Sequence, residues 1–81
     1  MQYEFLSKHL KEDDRGYASS LYLEMQGTND SNEKIVSSIS VSFGGDNYKP
    51  KSSWTQEQID QWAETMSSQL QQNIDAHFET V

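Results

Sequence analysis

The sequence predicts an α+β fold: a three-stranded antiparallel meander followed by one long C-terminal helix packed on one of its faces, in the order β-β-β-α. Three observations predict it. Residues 17–26 and 34–43 alternate apolar and polar side chains, the period of a half-buried strand. Clusters of turn formers separate these runs, GTNDSN among them. The last third instead places apolar residues three or four positions apart, the period of an amphipathic helix.

The first strand is expected over residues 2–10. Tyr3 and Phe5 share one side, while Leu6 and Leu10 fall out of phase with them. A phase change of this kind marks a β-bulge or an early end to the strand. Lys11 to Gly16 (KEDDRG) then reads as a charged turn. In the second strand, residues 17–26, Tyr17, Leu21, Leu23 and Met25 share a face, with Ser19 among them. Gly27 to Asn32 is assigned to a loop. The third strand, residues 34–43, alternates most clearly, with Ile35, Ile39, Val41 and Phe43 inward and Ser38, Ser40 and Ser42 outward. Gly44-Gly45-Asp46-Asn47 ends it, and a short loop carrying Pro50 follows.

The helix is expected over residues 55–80, and its start is the best-specified feature of the chain. Thr55 and Gln58 fit a capping box, in which the hydroxyl and the amide each satisfy an orphan backbone N–H of the first turn. Trp54 and Ile59 flank that box as a hydrophobic staple. Ile59, Trp62, Met66, Leu70, Ile74, Phe78 and Val81 then form one apolar stripe. About 25 helical residues span roughly 37 Å, and nine- or ten-residue strands roughly 30 Å, so the helix can lie along the sheet. One helix covers one face. The other is expected to carry Ser20, Tyr22, Glu24, Val36, Ser38, Ser40 and Ser42, flat and mostly uncharged.

Composition bounds the function. Eighty-one residues make a single domain, 1–81, near the lower size at which a chain folds alone. With no cysteine, neither a disulfide framework nor a thiolate metal site contributes. Hydrophobic residues are 33% and aromatics 11% of the chain, which describes a folded but thinly cored protein. No apolar run has the length of a membrane span. The N-terminal MQYEFLSKHL has no basic region followed by an apolar stretch, so a signal peptide is not expected, and a cytoplasmic location is. The net charge of −7 disfavours direct binding to nucleic-acid phosphates.

The charge is unevenly placed. All six bases and eight of the 13 acids lie in residues 1–51, whereas residues 52–81 hold Glu57, Asp60, Glu64, Asp75 and Glu79 and no Lys or Arg. At 100° per residue these acids are expected opposite the apolar stripe, with Asp60 nearer its edge. Glu57 and Asp60 suit the positive N-terminus of a helix, but Asp75 and Glu79 sit where its dipole disfavours negative charge. The five acids are the candidate binding surface for a basic partner, with a solvated face as the plainer reading. The uncovered sheet face is a second candidate surface, for a partner or a copy of the chain, through Tyr22, Val36, Ser38, Ser40 and Ser42. The sheet edges, with their unpaired backbone groups, are a related one.

Catalytic equipment is missing. His9 and His77 have no cysteine beside them and no ligand spacing. No serine lies in a nucleophile elbow, and Gly44-Gly45 is no phosphate-cradling loop. Asn29, Asp30, Asn32 and Glu33 offer oxygens to a hard cation but lack the ligand order of a calcium loop, so a plain turn is the better reading. An enzyme, a metal site and a cofactor are therefore not expected. The leading expectation is a small acidic interaction protein, such as a phage or mobile-element inhibitor that docks its helix on a basic nucleic-acid-binding partner as a nucleic-acid mimic. The alternatives are a self-associating structural protein and a small-ligand or metal-binding module. The order β-β-β-α recurs among unrelated small domains and carries no function of its own.

Overall fold

A computed structural model describes residues 1–79 and contains three antiparallel strands in the order β1-β2-β3, followed by one helix. β1 is Gln2–Glu12, β2 Ala18–Thr28, β3 Lys34–Ser42 and α1 Gln56–Glu79. The expected meander with a covering helix is what the chain forms. The helix position expected at residue 80, and Val81 of the apolar stripe, lie outside the described residues. Among the described residues no helix is long and apolar enough to cross a membrane.

The bulge in β1 is real and it solves the phase problem. Phe5 pairs with Met25 and Ser7 with Glu24, leaving Leu6 as the extra residue. Tyr3 and Phe5 face the helix before the bulge; Lys8 and Leu10, opposite Leu23 and Leu21, face it afterwards. Leu10 is thereby buried and Leu6 is left 45% exposed. Because pairing continues to Glu12, the first turn is shorter than its charged run suggests. Asp13 closes that turn by accepting the backbone N–H groups of Arg15 and Tyr17 at 2.9 and 3.1 Å. Tyr17, expected in β2, instead lies before it in an isolated bridge with Pro50.

The second boundary also moves. Gly27, assigned by sequence to a loop, lies inside β2 between Tyr3 and Ile35. A Cβ added there would clash with Ile74 Cγ2, so the bare backbone is what admits the C-terminal half of the helix. The following turn is held by Asn29, whose side-chain oxygen accepts the N–H groups of Ser31 and Glu33 at 3.0 and 2.9 Å. Asn32 closes it in the left-handed conformation (φ 64°), which Asn tolerates better than most residues. The side-chain oxygens of Asn29 and Glu33 are thus used in the turn itself, and the described residues contain no cluster of three or more metal-ligating side chains.

The core lies between the sheet and α1: Leu10, Leu21, Leu23 and Met25 from the strands meet Ala63, Leu70 and Ile74 from the helix. Between β3 and α1 the chain makes two short 3₁₀ turns, Gly45–Asn47 and Lys51–Ser53. Trp54 is buried at the helix entrance, stacked on Phe43 at 4.8 Å with the Lys49 ammonium 4.8 Å above its ring. The capping box forms as expected. Thr55 Oγ1 accepts the Gln58 N–H at 3.1 Å, and Gln58 Oε1 accepts the Thr55 N–H at 3.0 Å.

Candidate functional site

The helix is not centred on the sheet. It packs most on β3, less on β2 and least on β1. A cleft of about 460 Å³ therefore opens between α1 and β1, lined by Tyr3, Phe5, Lys8 and Met25 on one side and Asp60, Glu64, Ser67 and Gln71 on the other. Phe5 and Tyr3 are half-buried.

Asp60, Glu64 and Asp75 lie on the β1 flank of the helix rather than straight away from the sheet, which corrects for Glu64 and Asp75 the expectation that the acids stand opposite the apolar stripe. Two contacts set the rotation. Lys8 Nζ bonds Asp60 Oδ1 at 3.2 Å, and the Tyr3 hydroxyl donates to Asp75 Oδ1 at 2.6 Å. Glu64 lines the cleft between them. Glu57 and Glu79 stand exposed near the two ends of the helix. The five candidates thus divide into three on the β1 flank, of which Asp60 and Glu64 line the cleft and Asp75 holds Tyr3, and two on open surface.

Asp75 has a structural reason to be where the helix dipole disfavours it. It is half-buried and accepts a short bond from a residue at the other end of the chain. The same bond, together with desolvation and the carboxylate charge, pushes the Tyr3 phenol up to about 12. The Asp60 carboxyl is held below its ordinary range, first by the Gln56 side-chain amide and then by Lys8. Lys8, the one base in the cleft lining, offsets Asp60, so Glu64 is the lining acid without a base of its own there.

The second candidate surface also forms. Tyr22, Ser38, Ser40 and Ser42 lie on the uncovered face together with Val36, which is 51% exposed. Pairing shows what the sequence reading missed. The bulge brings Ser7, His9 and Lys11 onto the same face, opposite Glu24, Tyr22 and Ser20. Tyr22 Oη donates to Glu24 Oε2 at 2.8 Å, and Lys11 Nζ lies 5.9 Å from the Tyr22 ring. The middle of this face is therefore polar and partly charged, less flat and neutral than expected. The bulge residue was the available signal.

At the sheet end, Tyr48 Oη donates to Asp13 Oδ2, which lowers the Asp13 pKa and raises that of Tyr48. Tyr17 and Tyr48 pack there at 5.1 Å. The carboxylate is occupied by the turn and by the phenol, an arrangement that fastens the loop to the sheet. Comparison of the chain with protein-family models, with curated proteins and with solved structures returns no match, so its site is read from its own geometry.

Proposed function

We propose that this chain is a non-catalytic interaction domain that docks the β1-side flank of α1 on a basic protein surface. The observation that carries the reading is the gathering of Asp60, Glu64 and Asp75 on the β1 flank of α1, the first two lining the cleft and the third bonded to its Tyr3, on a helix that contains no Lys or Arg. Phe5 and Tyr3 add apolar contact at its floor. Basic surfaces that hold nucleic-acid phosphates have the matching chemistry, so the partner we favour is a nucleic-acid-binding protein whose site the chain would occupy as an inhibitor, in the manner of phage and mobile-element proteins.

The test separates the acids by what else they do. Asp60 and Asp75 hold Lys8 and Tyr3, so the informative variant reverses the exposed Glu57, Glu64 and Glu79 to Lys. An arginine-rich peptide, titrated while backbone amide shifts are followed, should perturb the α1–β1 cleft. The reversed chain should bind it at least about tenfold more weakly, and raised salt should weaken the native complex because the attraction is screened. Equal binding by the native and reversed chains would reduce the acids to a solubility role. Displacement of a captured partner by added nucleic acid would support the mimic in particular.

A further inference from the structure

The two edges of the sheet are built differently. β1 carries the Leu6 bulge together with Glu4, Lys8, His9 and Lys11, and the acids of α1 overhang it. Bulges and charged side chains are what keep a foreign strand from pairing with an edge. β3 has neither. Its nine residues pair with β2 without a register shift, and no charged residue or proline occurs from Ile35 through Gly45. Ile35, Ile39 and Val41 are only half-buried although they face the helix. The helix flank above this edge is neutral as well. Because Asp60 and Asp75 turn to β1, the opposite flank presents Trp62, Thr65, Gln69 and Asn73. Trp62 confirms that direction by meeting Phe43, just beyond β3, edge-on at 5.5 Å.

We propose that the β3 edge is a homodimerisation surface. β3 of a second copy pairs with it antiparallel, giving a continuous six-stranded sheet with both helices on one side. Antiparallel pairing of two identical strands is a two-fold operation, so the contact closes at a dimer and does not propagate. Charge selects this edge. Two copies each carrying −7 repel, and the β3 side is where they can approach without apposing acids. The helix position fits too. With strands about 4.8 Å apart and α1 seated toward β3, the two helix axes come within roughly 10–15 Å, close to packing distance. The neutral flanks would then face each other. An edge about 30 Å long on a body 18 Å thick offers roughly 500 Å² per copy, at the threshold of a specific interface. The uncovered sheet face is the poorer dimer surface, because closing it would bury Glu24, His9 and Lys11. Both acidic flanks stay outermost in the edge-paired dimer, so this inference stands apart from the docking reading.

Sedimentation equilibrium over a wide concentration range reads the outcome. The native chain should approach twice its 9.3 kDa mass, and added salt should strengthen the dimer by screening repulsion. Paired Ser38→Glu and Ser40→Glu substitutions, on the open face of β3, should raise the dissociation constant about tenfold or more through like charges across the junction. Ser7→Glu, on the same face but on β1, should leave it unchanged. A second readout does not depend on those variants folding well: the chain lacks cysteine, so single cysteines placed along β3 at Ser38 or Ser40 should cross-link two copies on oxidation, and one at Ser7 should not. A monomer mass at millimolar concentration and high salt would overturn the proposal. So would equal disruption by Ser7→Glu, which would assign the contact to the sheet face.

Discussion

Tyr3 and Asp75 show how a single hydrogen bond decides what a charged residue is for. The phenol is pushed up to about 12 in the folded chain, above its ordinary value near 10. Folding therefore favours the protonated phenol. The contribution is complete below about pH 10 and is lost as pH rises through 12. Tyr3→Phe should lower stability by about 1 kcal/mol at neutral pH, or a melting temperature by about 4–8 °C. It should also flatten the decline between pH 10 and 12, which a pH series of thermal melts would detect. An unchanged alkaline limb would assign that decline to other groups. Gly27 is a second residue whose role depends on its surroundings. Gly27→Ala drives a methyl against Ile74 and should cost about 1–3 kcal/mol. Ile74→Ala should cost about 2–5 kcal/mol. The double variant should cost less than the two together, since the cavity accepts the methyl. Additive losses in chemical denaturation would mean the two sites do not touch.

Elements here are held by devices of different reach. The start of α1 depends on a reciprocal pair three residues apart, Thr55 and Gln58. Thr55→Ala should destabilise the chain by about 1 kcal/mol. Adding Gln58→Ala should cost less than the sum of the singles, because each half of the box presumes the other; a denaturant double-mutant cycle measures that coupling. β1 instead depends on one inserted residue. Leu6 is substantially exposed, so Leu6→Ser should change stability by no more than about 0.5 kcal/mol. Deleting Leu6 is a different perturbation. It removes the register correction, so that either Tyr3 and Phe5 or Lys8 and Leu10 must leave the helix-facing side. The deletion should be severely destabilising, and a melting temperature close to native would show that β1 can re-register.

The molecule as a whole is long and thin. Its radius of gyration is 14.4 Å and its extents are 45 × 21 × 18 Å, against about 12 Å for a compact chain of this length. A two-layer body with one bare sheet face and two free strand ends exposes much surface for its core. Its polarity runs across the width of the sheet, from an acidic β1 flank to a neutral β3 edge. The two proposed contacts consequently respond to salt with opposite signs. Binding of a basic partner should weaken with ionic strength, while self-association should strengthen. Parallel salt titrations of peptide binding and sedimentation would separate them, and a common sign would mean that one surface serves both.

What could be read from the sequence was the set of features with short reach. Alternation identified the strands, a spacing of three and four identified the helix, and Thr55 with Gln58 placed its start, because each of these forms between residues within one turn or one pleat. The phase break at Leu6 announced the bulge for the same reason. Periodicity also placed Ser38, Ser40 and Ser42 on the uncovered face. The direction in which the acids point was not legible. It depends on how α1 is rotated about its own axis, and contacts spanning 52 and 72 residues, Lys8 with Asp60 and Tyr3 with Asp75, mark that rotation. Gly27 was hidden likewise: beside Thr28 and Asn29 it has the composition of a loop, and only the approach of Ile74 makes its missing side chain a packing requirement. Local spacing thus chose the elements and their inward faces. Packing between the ends of the chain decided which flank became acidic and which edge was left neutral, since side-chain direction around a helix acquires meaning only once the helix has something to lie against.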